Sequence, residues 1–142
     1  MKLCWSIRRS FERYVLAASG TVSCGDGARR EGDVFVFDGE RTPEGSYRFT
    51  GSVHFEAHGG FLDVLIADPM VEHADGEARL TVGVSPGPGG RRVHLARVVD
   101  LTGSEPAVAD LRLTVEGARL LGDVYAPGDL LDPLRIEGGG DA

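Results

Sequence analysis

The chain has 142 residues, of which 42% are hydrophobic, which suits one globular domain with a single core and excludes a disordered chain. Its formal net charge of −7 argues against a nucleic-acid partner, because phosphate backbones recruit clusters of Lys and Arg. The apolar runs are too short for membrane insertion or for a secretory signal, so we expect a cytoplasmic protein.

The first predicted element is an α-helix over residues 7–18. Its apolar face is formed by residues at helical spacing, namely Ile7, Phe11, Tyr14, Val15 and Ala18. Charged side chains occupy the opposite face of this helix. Ser6 is placed to cap its start, and Gly20 is placed for a left-handed cap at its end.

After residue 20 the apolar residues alternate with polar ones, which is the period of a β-strand. The clearest strand covers residues 47–56, and further strands are predicted at 34–37, 61–67, 78–84, 92–99, 110–115 and 119–125. Many of the 21 glycines lie between these runs and indicate turns. The sequence therefore predicts a mainly β fold, an antiparallel β-sandwich or barrel-like domain with one short N-terminal α-helix. We expect one domain over residues 1–137 and a flexible tail over residues 138–142.

Three potential metal ligands lie in and beside the clearest strand. His54, Glu56 and His58 are two residues apart, so a regular strand would point all three to one face. Two imidazoles and a carboxylate can hold a divalent metal such as iron or zinc. One hypothesis is therefore a metal site or metal-dependent enzyme at these residues. Another is a β-sandwich interaction module that binds no ligand.

Two segments resemble the HtaA-type haem-binding domain of actinobacterial haem uptake. The first covers residues 5–15, and the likeness rests on Trp5, Ser10, Phe11 and Tyr14. The second covers residues 53–64, and the likeness rests on His58, Gly60, Leu62 and Asp63. Segments nearer the C-terminus are similar to the closing strands of that family, namely 113–118, 125–128 and 131–134.

The resemblance implies that Tyr14 ligates the iron of ferric haem and that a hydrogen bond from His58 supports this tyrosine. Ferric iron accepts a phenolate oxygen well, and a nearby histidine can accept or share the phenol proton. Ser10 lies one turn before Tyr14, so its hydroxyl is placed to bond a haem propionate. Tyr125 matches a pocket aromatic of the family, and Val124 stands where a second aromatic is common.

The resemblance also implies a role. The protein would not be an enzyme but would bind ferric haem for capture, transport or storage, with haem and other haem-carrier proteins as partners. Members of the family usually act at the cell surface.

Overall fold

The computed structural model describes residues 1–85 and 90–138, which contain eleven strands, two α-helices and one 3₁₀ turn. The strands are β1 (Lys2–Trp5), β2 (Thr21–Gly25), β3 (Arg29–Glu31), β4 (Val34–Arg41), β5 (Tyr47–Thr50), β6 (Ser52–Ala57), β7 (Leu62–Ala74), β8 (Glu77–Gly83), β9 (Arg92–Val99), β10 (Ala107–Leu113) and β11 (Leu130–Glu137). The helices are α1 (Arg9–Ala17) and α2 (Val115–Leu120), and the 3₁₀ turn is His58–Gly60. Within these described ranges, neither helix has the length and apolar character that crossing a membrane requires.

Eight strands close into an antiparallel barrel in the order β7-β5-β4-β1-β11-β10-β9-β8, with β8 paired back to β7. The later part of the long strand β7 completes this ring, whereas its first part, residues 62–67, pairs with β6. β2 pairs with the other edge of β6, so β2, β6 and the start of β7 form an extension beside the barrel. The predicted mainly β, barrel-like fold is confirmed.

Helix α1 packs on this extension through its apolar stripe. Phe11 and Val15 are fully buried, and the Phe11 ring meets the edge of Phe55 of β6 at a centroid distance of 5.0 Å. Full burial of one such side chain stabilises a fold by about 1.5–3 kcal/mol. The packing therefore fixes α1 against β6, the strand that leads into the His58 turn.

The start of α1 differs from the prediction. The helix begins at Arg9 rather than at residue 7, because Ile7 has a left-handed φ of 64°. Ser6 does not cap it. The cap comes instead from β11, where the Asp132 carboxylate accepts hydrogen bonds from the Arg9 amide at 2.8 Å and the Ser6 hydroxyl at 2.7 Å.

The end of α1 also differs. Ser19, with a φ of 61°, adopts the left-handed conformation that was expected at Gly20. The Gly20 amide donates to the Val15 carbonyl at 2.8 Å, which closes the helix end. Glycine is needed at this position for space, because a Cβ would lie 2.2 Å from the Glu56 carbonyl oxygen.

One predicted strand is divided in the structure, and another is absent from it. The run over residues 47–56 is divided at Gly51, whose φ of 135° interrupts the pairing and separates β5 from β6. Residues 119–125 do not form a strand. They include the end of a second helix, α2, which the Thr114 hydroxyl caps by accepting from the Gly117 amide at 2.9 Å.

The expected tail begins with an ordered contact. Gly138 donates its amide to the Glu105 carboxylate at 2.7 Å. Residues 139–142 lie outside the described part of the chain.

Candidate functional site

A phenol and an imidazole from two different elements meet at the surface of the extension. The Tyr14 hydroxyl of α1 lies 3.0 Å from Nε2 of His58, within hydrogen-bond distance. The sequence placed Tyr14 on the apolar face of the helix, but the structure places it at the edge of that face, with 40% of the residue exposed. An exposed phenol already paired with an imidazole can lose its proton to a neighbour and coordinate a metal from solvent.

The backbone turn that carries His58 is conformationally unusual. Strand β6 ends at Ala57, and the next three residues, His58, Gly59 and Gly60, have φ values of 55°, 65° and 96°. The Phe61 amide then donates to the His58 carbonyl at 3.2 Å. Left-handed conformation is costly for a residue with a Cβ, so the fold holds His58 in place against its own backbone preference.

A second pair lies one turn earlier on α1. The Ser10 hydroxyl hydrogen-bonds the Tyr125 hydroxyl, which comes from the segment after α2. The buried Phe11 ring supports both pairs, with centroids 6.4 Å from Tyr14 and 6.3 Å from Tyr125. The four predicted site residues therefore form two hydrogen-bonded pairs on either side of one buried aromatic ring.

The metal hypothesis for His54, Glu56 and His58 does not match the geometry. The strand ends before residue 58, so the two-residue alternation stops there and His58 contacts Tyr14 instead. His54 and Glu56 do share a face, and Asp63 of β7 joins them. His54 Nε2 lies 2.6 Å from Asp63 Oδ1, and Glu56 is directly opposite Asp63 in the β6–β7 register. Ligand atoms of His54, Glu56 and Asp63 all lie within 4.8 Å of one another.

Sequence reasoning missed two residues that hold this site together. Asp132 accepts a hydrogen bond from Arg8 Nη1 at 3.2 Å as well as those from Ser6 and Arg9. The Arg8 guanidinium also lies over the Tyr125 ring, with Cζ 5.4 Å from the centroid. Arg8 lies on the charged face of the predicted helix, where a basic residue gives little warning of this role, because its acidic partner is more than 120 residues away in the chain.

Exposed apolar side chains continue the surface beyond the Tyr14–His58 pair. Phe61 directly follows the His58 turn and is 97% exposed. Val124 is also exposed. It lies two residues after Gly122, which is close to Leu62 at the start of β7, because a Cβ added at Gly122 would meet the Leu62 side chain at 2.9 Å. A large apolar ligand would find hydrophobic contacts at such positions without rearrangement of the core.

This arrangement defines the chain as an antiparallel β-barrel domain with a tyrosine–histidine pair between an outer helix and the turn after β6. The HtaA family profile matches residues 1–137, and the chain belongs to this family.

Solved structures agree with that assignment. The C-terminal domain of HtaA from Corynebacterium glutamicum is 27% identical, with a TM-score of 0.75 and coverage of 94% of this chain and 92% of that one. The N-terminal domain of the same HtaA is 25% identical, with a TM-score of 0.72 and 97% of both chains covered. The heme-binding protein HtaB of that organism shares the fold, with 21% identity, a TM-score of 0.75 and coverage of 96% and 90%. Among curated proteins the sequence comparison finds no match.

Proposed function

We propose that this protein binds ferric haem through the phenolate of Tyr14, with His58 as its hydrogen-bonding support, and serves in haem capture, transport or storage. The observation that carries the proposal is the 3.0 Å contact between the Tyr14 hydroxyl and His58 Nε2 at an exposed position. Membership of the HtaA family supports it, and HtaB of Corynebacterium glutamicum, which shares the fold, is a heme-binding protein. The proposed role is binding rather than catalysis.

The chemistry of the donor set fits ferric iron. A free phenol loses its proton near pH 10, so a phenolate ligand at neutral pH needs stabilisation by the metal and by a neighbouring group. His58 can take or share that proton through its Nε2 atom, which lies within hydrogen-bond distance of the Tyr14 hydroxyl. Bound haem would supply a ferric iron that acts as a Lewis acid and favours the phenolate form of a tyrosine ligand.

The exposure of the site suits exchange of haem with other proteins. A second protein can reach a ligand on an outer helix while the barrel stays folded. A ligand in the barrel core would be accessible only if the barrel opened. We therefore propose other haem-carrier proteins as partners in transfer. The exposed ring of Phe61 beside the His58 turn provides apolar surface for the same ligand.

A haemin titration tests the proposal. Absorbance should saturate at one haem per chain and show the charge-transfer band of a high-spin iron–phenolate complex. His54→Ala serves as a matched control, because His54 pairs with Asp63 on the strand face and does not contact Tyr14. Absence of saturable binding by the wild-type protein would favour a ligand-free interaction module instead.

A second candidate function rests on the trio His54, Glu56 and Asp63. A mixed imidazole and carboxylate set with ligand atoms within 4.8 Å of one another suits a divalent metal such as zinc. Titration with Co²⁺ should then give visible d–d bands that His54→Ala and Glu56→Gln both abolish and that His58→Ala leaves unchanged. Identical traces for the wild type, His54→Ala and Glu56→Gln would exclude this candidate.

A further inference from the structure

The Arg8 side chain occupies a distinctive place beside the Ser10–Tyr125 pair. Its guanidinium Cζ lies 5.4 Å from the centroid of the Tyr125 ring, and its Nη1 lies 3.2 Å from Asp132 Oδ1. The ring and the carboxylate hold the guanidinium at the start of α1, next to Ser10. About one third of the side chain, 35%, is exposed to solvent.

The guanidinium has hydrogen-bonding capacity that the protein does not use. A guanidinium carries five N–H donors. Within residues 1–85 and 90–138, the Arg8 group donates one hydrogen bond, to Asp132, and its Nε is buried without an acceptor. The remaining N–H donors lie on the two Nη atoms, and the exposed part of the side chain can offer them to an acceptor supplied by a ligand.

The N-terminal end of α1 favours an anion, although the whole protein is acidic. Asp132 contributes one negative charge, and its carboxylate already accepts from Ser6, Arg8 and the Arg9 amide. Among the other charged side chains at the start of α1, Arg9 pairs with Asp33 at 3.8 Å and Glu12 pairs with Arg30, so the charges of these pairs balance. The positive end of the helix dipole lies at the same place.

We propose that Arg8 is a ligand-binding residue that receives a carboxylate group of the bound molecule beside Ser10 and Tyr125. This inference rests on the proposed function, since the carboxylates in question are the haem propionates. A carboxylate accepts two parallel N–H bonds from a guanidinium fork, which gives direction as well as affinity. Arg8 thereby selects the orientation in which haem lies on Tyr14.

The test compares two ligands and three proteins. Haemin carries two free carboxylates, and its dimethyl ester carries none. Each is titrated into the wild type, Arg8→Gln and Arg13→Gln. Arg13 is a matched control, because it is exposed on the same helix and forms no ion pair or side-chain hydrogen bond within the described residues.

For haemin, Arg8→Gln should raise the dissociation constant about tenfold or more, which is the usual size of a lost charge-assisted hydrogen bond. For the dimethyl ester, Arg8→Gln and the wild type should bind equally, and Arg13→Gln should match the wild type with both ligands. The melting temperature of each ligand-free protein, measured in parallel, reports damage to the fold.

Three results would overturn the inference. If Arg8→Gln weakens both ligands equally, the arginine acts through Tyr125 or Asp132 rather than through a carboxylate. If it binds haemin as the wild type does, Arg8 receives no propionate. If the wild type itself shows no saturable haemin binding, both this inference and the proposed function are wrong, whereas the first two results leave the proposed function standing.

Discussion

Asp132 of β11 accepts a hydrogen bond from the Arg9 amide at 2.8 Å, so the last strand of the barrel caps the helix that carries Tyr14. The two residues are 123 positions apart in the sequence. Strand β11 is itself paired with β1, the strand that leads into the helix. The position of the helix that carries Tyr14 is therefore set by strands from both ends of the chain.

Asp132→Ala should lower the free energy of unfolding by about 1–2 kcal/mol, because it removes a helix cap and the partner of Arg8. Urea unfolding followed by circular dichroism measures this change. Asp110→Ala is the control, since Asp110 is an exposed residue of β10 without a side-chain hydrogen bond in the described part of the chain. Equal unfolding curves for the two variants would show that Asp132 does not hold the helix.

Gly20→Ala should destabilise the protein by about 1–3 kcal/mol through overpacking. Its Cβ would lie 2.2 Å from the Glu56 carbonyl, which forces α1 away from β6 and so separates Tyr14 from His58. Gly103→Ala is the matched control, because nothing lies within 4 Å of its added Cβ. Thermal unfolding should distinguish the two, and a melting temperature for Gly20→Ala equal to that of Gly103→Ala would contradict the close packing of α1.

The left-handed backbone of His58 predicts that substitutions at this position affect stability and haemin binding separately. His58→Gly should stabilise the ligand-free protein by about 1 kcal/mol relative to His58→Ala, because glycine adopts a φ of 55° without steric cost. Both variants lack the imidazole and should bind haemin more weakly than the wild type. They should still bind it more tightly than Tyr14→Phe, because they keep the tyrosine oxygen. Chemical unfolding and haemin titration of the pair measure the two effects. Equal stability of the two variants would show that residue 58 is not strained.

Much of the barrel could be predicted from the chain because its strands alternate clearly. The apolar periods of β7, β8 and β9 are local signals, and the structure has strands there. The division at Gly51 and the helix α2 were missed for different reasons. Gly51 lies against Ala28, and a Cβ at this position would be only 2.7 Å from the Cβ of Ala28. The sequence of α2 has a strand-like apolar pattern, but the Thr114 cap favours a helix there.

The candidate site was predictable only where local sequence and family pattern coincide. Tyr14 and His58 each lie in a recognisable segment, and the structure brings them within hydrogen-bond distance. Asp132 and Arg8 carry no local signal, because their contact depends on the register of β11 against β1. The third residue beside His54 and Glu56 is Asp63 rather than His58, because β6 ends at Ala57. A two-residue period does not reveal where the strand ends.

The haemin spectrum of Tyr14→Phe tests the claim that the Tyr14 oxygen holds the iron. This change removes the oxygen and keeps the ring, so the packing on Phe11 and the ligand-free melting temperature should change little. Tyr47→Phe is the matched control, since Tyr47 lies on β5 and stacks on Phe49. Tyr14→Phe should lose the iron–phenolate band and most of its haemin affinity, while Tyr47→Phe should behave as the wild type. A wild-type spectrum and affinity in Tyr14→Phe would contradict the claim, because another residue would then ligate the iron.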